Sequence, residues 1–237
     1  MKPTLFDIQR GEYYQTDWQE YFNDIIDLIP PNSSVLDAGC GRGELLDYLR
    51  REKNCSVRGI DLSEDAIKIC QSKGIDVIKC DLDKDPIEGT YDIIIFSSSL
   101  ESLVDPVGVL KRIRKNLHKN GNLIVWVPNI SFWPYRIQFL FGRNLKCYGA
   151  SPEDRKLGIM GYDDIQFFNK PSLSNVLIKA GYRPVKWVFR KPTLSIRPKL
   201  LLEYLVYRAV REKVPDLFSP FLLVKALKIS DGVIGIE

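Results

Sequence analysis

The stretch Val35-Leu36-Asp37-Ala38-Gly39-Cys40-Gly41-Arg42-Gly43 decides how this chain folds. Its first two residues are apolar, as at the end of a short buried strand, and three glycines follow the acid at alternate positions. Residues 44–49 have the apolar spacing of a helix. A strand, a glycine-rich turn and a helix in this order form a corner where a nucleotide-like ligand can approach the backbone closely.

The spacing of the glycines limits which ligand fits this corner. The dinucleotide fingerprint needs glycine at its first, third and sixth positions, and here Glu44 stands at the sixth. A phosphate would sit at the helix N-terminus, where Glu44 and Asp47 oppose its charge. No Gly-Lys-Ser/Thr follows, so a Walker loop is excluded. The sequence therefore favours a ligand without phosphates, such as one that carries a cationic sulfonium and an amino group.

Three further strands are predicted after this motif, and two of them end in an acid. Residues 57–60 lead to Asp61, and an acid at the tip of the second strand can accept both hydroxyls of a ribose. Residues 77–80 lead to Asp81. Residues 91–96 are almost continuously apolar, which is typical of a strand buried on both faces of a parallel sheet.

These motifs resemble those of the class I S-adenosylmethionine-dependent methyltransferases, over roughly residues 12 to 185. The nearest resemblance is to the MetW-like members and to members that modify sugars or lipids. The matching segments are Val35 to Gly43, Gly59-Ile60-Asp61-Leu62-Ser63, Cys80-Asp81-Leu82 and Phe96-Ser97-Ser98-Ser99-Leu100-Glu101. The resemblance implies an α/β fold with a Rossmann-like, doubly wound sheet of seven strands and helices on both faces. Strand seven is expected to run antiparallel between strands five and six.

The resemblance also implies S-adenosyl-L-methionine as the cofactor. Asp37 would attract its amino group, Asp61 would accept the ribose hydroxyls, and Asp81 would accept from the adenine amine. The leucines after the last two acids would lie against the adenine, and the serines after strand four would line the methionine side. Tyr14 either touches the methionine part or only packs. The residues assigned to the cofactor are Tyr14, Asp37, Gly39, Cys40, Gly41, Asp61, Leu62, Asp81, Leu82, Ser97 and Ser98.

The remaining pattern predicts the other elements. Helices are expected at 17–29, 43–53, 63–74, 105–120, 136–141 and 171–180, the last of them stopped by Gly181, and strands five to seven at 123–127, 185–189 and 221–224. We expect a single domain over 1–237, with a cofactor-binding core at 12–185 and an insert at 129–162. Residues 186–237 would form a basic, apolar extension that completes the sheet.

The insert at 129–162 is aromatic, punctuated by proline and without clear periodicity. Long irregular segments in compact domains are usually functional, so we expect the acceptor site here. Its rings could stack on a sugar or an apolar chain, and Arg136, Arg143 and Lys146 could meet an anionic group. The alternative is a lid with no ligand role. The candidate substrate residues are Glu101, Asn129, Trp133, Tyr135 and Tyr162.

The sequence does not assign a catalytic residue. Many small-molecule O-methyltransferases of this type have Leu-Glu-His after strand four, whereas this chain has Leu100-Glu101-Ser102. The sole histidine, His118, is expected at the surface in a turn before strand five. Glu101, Tyr162 and Asp163 are candidate bases. Two hypotheses follow: a methyltransferase that acts on a small-molecule, sugar or lipid-linked acceptor, or a catalytically silent relative that serves as a regulatory or partner-binding subunit.

Composition and charge bound the partners. The net charge is only +4, but residues 183–228 hold 11 Lys/Arg against 3 Asp/Glu. That excess suits an acidic substrate, a nucleic acid, anionic lipid or a solvated face. We expect a small-molecule acceptor and no nucleic acid as partner. The apolar segment 199–213 is a candidate for packing on the domain, for a homodimer contact or for peripheral membrane contact.

Five cysteines stand apart at 40, 55, 70, 80 and 147, and none forms a Cys-x-x-Cys pair. With one histidine in the chain, this spacing predicts no metal site. A scattered, odd set of cysteines is typical of reduced thiols in a cytoplasmic protein. The sequence shows no apolar leader and no apolar run long enough for a transmembrane helix, so we expect a cytoplasmic location.

Overall fold

A computed structural model describes residues 18–142, 165–189, 207–209 and 213–229 of the chain. The second half of the predicted insert and most of the apolar segment 199–213 lie outside these described residues. The same holds for six residues named above: Tyr14, Arg143, Lys146, Cys147, Tyr162 and Asp163.

Seven strands form one sheet. They are β1 (Ser34–Ala38), β2 (Ser56–Asp61), β3 (Asp76–Lys79), β4 (Tyr91–Ser97), β5 (Leu117–Pro128), β6 (Tyr182–Val188) and β7 (Phe221–Lys228). Their order across the sheet is β3-β2-β1-β4-β5-β7-β6. The first five strands pair in parallel, whereas β7 runs antiparallel to both β5 and β6. The predicted doubly wound sheet, with strand seven between strands five and six, is confirmed.

Helices cover both faces of this sheet. They are α1 (Trp18–Ile26), α2 (Glu44–Lys53), α3 (Glu64–Ser72), α4 (Pro106–Ile113), α5 (Trp133–Leu140) and α6 (Lys170–Lys179). Ser63 caps α3, because its hydroxyl accepts a hydrogen bond from the amide of Ala66 at 3.3 Å. Gly181 follows α6 with a φ of +84°, the conformation that stops a helix.

The core lies on both sides of the central strands. Ile94 and Phe96 of β4 face one apolar layer, which includes buried residues of α4 and α6. Ile93 and Ile95 face the other, with buried residues of α1 and α2. Alternate side chains point to opposite faces of a strand, so an unbroken apolar run is what a strand covered on both faces requires.

Several predicted boundaries were wrong, most clearly between α4 and β5. The helix expected to reach Asn120 ends at Ile113, and a short 3-10 helix, Arg114–Asn116, follows. The Asn116 amide donates to the carbonyl oxygens of Ile87 and Gly89, at 2.8 and 2.7 Å. These bonds hold the chain beside β4, so β5 begins at Leu117. His118 therefore lies in β5 and not in a turn, although it is exposed as expected.

The last two strands are also longer than predicted. β6 begins at Tyr182 and β7 continues to Lys228, because each supplies hydrogen-bond partners for the other along this length. Within the ranges that the structure describes, no helix is both long and apolar enough to cross a membrane.

Candidate functional site

A cleft opens at the carboxyl ends of β1 and β4, where parallel strands place their loops at one edge of the sheet. It has a volume of about 490 Å³, counting its open mouth. The predicted residues that it brings together are Asp37, Gly39, Cys40, Gly41, Ser97 and Ser98. Phe22, Arg42, Glu44 and Leu45 line it as well, and the sequence had not assigned them to the site. Phe22, Glu44 and Leu45 lie on helices that the sequence predicts, but helical spacing does not show which side chains face the cleft, and Arg42 lies in the glycine turn.

The glycine turn is held to the neighbouring strand by its own backbone. The amides of Gly39 and Cys40 both donate to the carbonyl oxygen of Ile60, at 2.8 and 2.9 Å. Gly39 has a φ of +90°, which side-chain-bearing residues rarely adopt. The turn is therefore fixed at the end of β2, with its backbone open to the cleft.

Ser99 packs directly against this turn, and the sequence did not single it out although it stands in a matching motif. A Cβ on Gly39 would lie 2.5 Å from the Ser99 Cβ. The Ser99 hydroxyl donates to the carbonyl oxygen of Ala38. The loop after β4 thus presses on the loop after β1 and fixes the floor of the cleft.

We expect Gly39→Ala to lower the midpoint of thermal unfolding by about 4–8 °C, since left-handed strain and the clash together cost about 2 kcal/mol. Differential scanning calorimetry measures this shift. Gly142→Ala is the matched control: its φ is +64°, but a Cβ there would meet nothing within 4 Å. A Gly39→Ala shift no larger than that of Gly142→Ala would contradict the packing role of Ser99.

Asp37 is buried at the base of the cleft, with 2% of its surface exposed. Its Oδ1 has no hydrogen-bond partner among the residues that the structure describes. Burial, and then the negative charge of Asp61, raise the pKa of this carboxyl to about 7. An orphaned, buried acid beside an open cleft is suited to receive a cation.

Asp61 joins the glycine turn to the end of β2. Its Oδ2 accepts from the amide of Gly41 at 2.8 Å, and its Oδ1 accepts from the amide of Ser63 at 2.9 Å. A carboxylate offers about four acceptor positions, so these two bonds leave capacity for two more donors. The next residue, Leu62, is 59% exposed, so the apolar surface beside this acid is open.

Asp81 and Leu82 have different surroundings. The Asp81 carboxylate accepts from Lys84 Nζ at 2.7 Å and from the Asp83 amide at 3.0 Å. The hydrogen bond from Lys84 lowers the pKa of this carboxyl. Leu82 is 7% exposed and belongs to the main apolar layer. An adenine placed here would contact only the small exposed part of Leu82. Its amine would bond to an Asp81 carboxylate that already accepts from Lys84.

The backbone of Ser98, on the β4 side of the cleft, is held in a constrained conformation. It follows β4 with a φ of +53°, an uncommon conformation for a residue other than glycine. Its amide donates to the carbonyl oxygen of Trp126 at 2.9 Å, which ties this wall to β5. Such conformations concentrate at ligand sites, where the surrounding structure enforces them.

The candidate substrate residues are divided between structural and accessible positions. Asn129 is fully buried: its side-chain amide donates to the carbonyl oxygens of Asp216 and Ser219, and its Oδ1 accepts from the Ser131 amide. These bonds hold the end of β5 against the chain that leads into β7. Trp133, by contrast, is only half-buried at the start of α5.

Glu101 and Tyr135 are both nearly buried. Glu101 is 2% exposed, and its carbonyl oxygen accepts from the amides of Ile165 and Gln166, so it joins the loop after β4 to the chain before α6. The Tyr135 ring is 7% exposed and packs edge to face on Phe132, with ring centres 5.5 Å apart. Among the described residues, no group of three or more His, Cys, Asp or Glu side chains is placed to hold a metal ion.

This sheet order and the glycine turn at the end of β1 define the fold of the class I S-adenosylmethionine-dependent methyltransferases. An S-adenosylmethionine-dependent methyltransferase from Mesorhizobium loti shares the fold, with a TM-score of 0.65 and 19% identity over 90% of this chain and 99% of that chain. Another from Archaeoglobus fulgidus has a TM-score of 0.59 and 20% identity, over 88% and 92% of the two chains.

The family model of the methionine biosynthesis protein MetW matches residues 19–166, and the chain belongs to this family. A bifunctional MetXA/MetW protein from Rhodopirellula baltica is 28% identical over 53% of this chain, and the match spans only 22% of that relative's length. A carboxy-S-adenosyl-L-methionine synthase from Campylobacter jejuni is 24% identical over 75% of this chain and 81% of its own length.

Proposed function

We propose that the chain binds S-adenosyl-L-methionine in this cleft and transfers its methyl group to an acceptor with an apolar body. The observation that carries the first half is the buried Asp37 carboxyl, whose Oδ1 has no hydrogen-bond partner among the described residues, beside a glycine turn that Asp61 anchors. A ligand with an ammonium and a ribose would satisfy both acids. Glu44 also lines the cleft, and it disfavours a ligand with phosphates.

The residues present fit such a cofactor. Asp37 receives the amino group, and the free acceptor positions of Asp61 receive the two ribose hydroxyls. The exposed side chain of Leu62 would lie against the adenine, and Ser97 and Ser98 would line the methionine side. The sulfonium of the bound cofactor supplies an activated methyl group. Tyr14 and Asp81 keep their predicted cofactor roles as part of this proposal.

The work left to the protein is to align the acceptor with that methyl group. Positioning of this kind can lower a barrier by about 7–11 kcal/mol. Ser102 stands where many O-methyltransferases have a histidine, so the proposal does not use that base. Glu101, Tyr162 and Asp163 remain the candidate bases.

The apolar character of the acceptor is inferred from α5. The residues at its end are exposed and apolar: Ile137 45%, Phe139 51%, Leu140 76% and Phe141 72%. Ser97 of β4 lies opposite Trp126 of β5, so the chain leaves β5 for α5 at the same edge of the sheet as the cleft. An apolar chain, such as that of a lipid-linked intermediate, would contact this surface, and exposed Arg136 is available for an anionic group.

A second candidate function is that of a partner-binding subunit with a silent site. It is favoured by Ser102 in place of the histidine and by the same exposed end of α5. A fold neighbour from Haloferax volcanii is a putative methyltransferase in a complex with the Trm112 methyltransferase activator, with a TM-score of 0.56 and 15% identity over 85% of this chain. In this alternative the apolar residues of α5 contact a protein partner. The cytoplasmic location, the homodimer and the membrane contact remain predictions.

Calorimetry on the purified full chain tests the first half of the proposal. We expect binding of S-adenosylmethionine and S-adenosylhomocysteine and none of NAD, because Glu44 stands at the helix N-terminus where a pyrophosphate in this cleft would lie. Binding of NAD without a signal for S-adenosylhomocysteine would contradict the assignment.

Methyl transfer tests the second half. The chain is incubated with methyl-labelled cofactor and with separate lipid and polar fractions of a cell extract. We expect label in a lipid-soluble product, and the triple change Phe139→Ser, Leu140→Ser and Phe141→Ser should slow transfer about tenfold or more, since it removes most of the apolar contact. Affinity for S-adenosylhomocysteine should not change.

Ile178→Ser is the matched control, because Ile178 is 55% exposed on α6 and has no proposed ligand role. It should transfer methyl groups at the normal rate. Cofactor binding without transfer to either fraction would support the silent subunit, and label only in polar products would contradict the apolar acceptor.

A further inference from the structure

Two thiols from different elements meet beneath the glycine turn. Cys40 lies in the turn itself and Cys70 lies on α3. Both sulfur atoms approach the carbonyl oxygen of Gly41, at 3.7 Å for Cys40 and 3.3 Å for Cys70. The two side chains also interact directly, and this hydrogen bond raises the pKa of Cys40 and lowers that of Cys70.

Two glycines let the backbone pack closely against the two sulfurs. A Cβ on Gly59 would lie 2.5 Å from the Cys40 sulfur, and a Cβ on Gly43 would lie 2.8 Å from the Cys70 sulfur. The two thiols therefore fill the volume that these glycines leave open. Both lie within 3.7 Å of the same Gly41 carbonyl oxygen and belong to one buried cluster.

The two thiols are not equivalent. The ammonium of Lys73 is fixed beside the turn, where it donates to the Arg42 carbonyl oxygen at 2.8 Å and lies 3.6 Å from Glu44. The hydrogen bond with Cys40 lowers the pKa of Cys70 most, and the positive charge of Lys73 lowers it further. Cys80 is a useful contrast, because burial raises the pKa of its thiol. A thiolate beside a protonated thiol is the arrangement from which disulfides form.

We propose that Cys40 and Cys70 are a redox modification site, which hydroperoxides convert to a reversible disulfide. The Cys40 sulfur, which lines the cleft, attacks one peroxide oxygen, the O–O bond breaks, and the hydroxide that leaves takes up the Cys40 proton to become water. The Cys70 thiolate then attacks the sulfur of the Cys40 sulfenic acid, the S–S bond forms, and the hydroxide that leaves takes up a proton to become the second water. Two thiols and one hydrogen peroxide thus give one disulfide and two waters.

The cleft is the route by which the oxidant enters. Cys40 lines the cleft and is 9% exposed, whereas Cys70 is fully buried behind it. A ligand in the cleft would cover this route and slow the reaction. This protection rests on the proposed function, but formation of the disulfide does not.

The disulfide would alter the turn. An S–S bond of about 2.05 Å is much shorter than a contact between unbonded sulfurs, so it pulls the turn toward α3. That movement strains the bonds from the Gly39 and Cys40 amides to Ile60 and from the Gly41 amide to Asp61. The oxidised protein should therefore bind S-adenosylhomocysteine about tenfold or more weakly, and dithiothreitol should restore the affinity.

The experiment treats the full chain with hydrogen peroxide, with and without S-adenosylhomocysteine, and maps tryptic peptides without reduction. We expect a linked peptide pair that contains Cys40 and Cys70, formed about fivefold or more slowly when the cleft is filled. Calorimetry before and after dithiothreitol measures the affinity. Cys70→Ser should keep its affinity through peroxide treatment, and Cys80→Ser should respond like the wild type.

The outcomes separate the two proposals. Sulfinic or sulfonic acids on either cysteine without a linked peptide overturn the modification site, and a linked pair with unchanged affinity overturns its effect on the cleft. If reduced wild-type protein does not bind S-adenosylhomocysteine, the proposed function fails while a linked pair still supports the redox site. Peptide mapping of the wild type decides the site even if Cys70→Ser does not fold.

Discussion

Asp61→Ala is expected to weaken S-adenosylhomocysteine binding by about a hundredfold or more. The variant would lack the two hydrogen bonds that Asp61 accepts from the ribose hydroxyls, each worth about 1.5–3 kcal/mol. It would also release the Gly41 amide, now held at 2.8 Å, so the glycine turn would lose its anchor on β2. Isothermal titration calorimetry measures the affinity, and circular dichroism shows whether the fold is retained.

A ribose-modified ligand separates these two effects. With 2′,3′-dideoxy S-adenosylhomocysteine the hydroxyls are absent, so the Asp61→Ala penalty should shrink to the share that comes from the loosened turn. Asp76→Ala is the control: Asp76 stands at the start of β3, where it pairs with Arg58 at 2.6 Å on the surface. It should leave binding unchanged. An equal Asp61→Ala penalty for both ligands would show that the ribose lies elsewhere.

Asp37→Asn is expected to stabilise the protein without ligand and to weaken cofactor binding about tenfold or more. The carboxyl has a pKa of about 7 in the folded protein, against the ordinary value of 3.8. Between these two pH values the folded state holds a proton that the unfolded state has lost. The free energy of unfolding therefore falls by up to about 4 kcal/mol as pH rises through this window. Above the window, the contribution of Asp37 is constant.

Urea unfolding at pH 5 and pH 8 measures this effect. The Asn variant lacks the buried charge, so its stability should exceed that of the wild type at pH 8 and should lose the slope from Asp37. Asp92→Asn is a control of opposite sign, because hydrogen bonds from Ser34 lower the pKa of Asp92. Removing that carboxylate should lower stability above the ordinary pKa. A wild type with equal stability at both pH values would contradict the raised pKa of Asp37.

The affinity for S-adenosylhomocysteine should also depend on whether the Asp37 carboxyl is protonated. As pH rises from 6 to 7.5, wild-type affinity for S-adenosylhomocysteine should increase, because Asp37 becomes charged while the ligand's amino group is still cationic. The Asn variant should show no such increase. A variant that binds as tightly as the wild type would show that the amino group does not meet Asp37.

The first half of the fold could be predicted because its signals are local. The strands β1, β2 and β4 each hold a short apolar segment, and an acid or a serine stands at or next to the carboxyl end: Asp37, Asp61 and Ser97. Parallel pairing then brings Asp37 and the serines after β4 to one edge of the sheet without further information. This is why Asp37, Gly39 and Ser97 were placed in the cleft from the sequence.

The features that were missed depend on contacts between distant parts of the chain. The start of β5 is set by Asn116 bonding to carbonyls beside β4, and Ser99 matters because the loop after β4 packs it directly against Gly39. Asn129 looks like a ligand residue at the end of a strand, but the chain before β7 uses its whole amide. No periodicity in the sequence reports such pairings.

The placement of β7 between β5 and β6 has a consequence for how the molecule is made. On a ribosome, β1 to β5 can assemble as they emerge, so the side that holds Asp37 and Asp61 is built from early sequence. β6 emerges earlier than β7 but pairs only with it among the described strands. Until β7 emerges, β5 is an unpaired edge strand, and a strand of another nascent chain can pair with it. The side of the sheet beyond β5 is thus completed last, and a chaperone would be needed between the synthesis of β6 and that of β7.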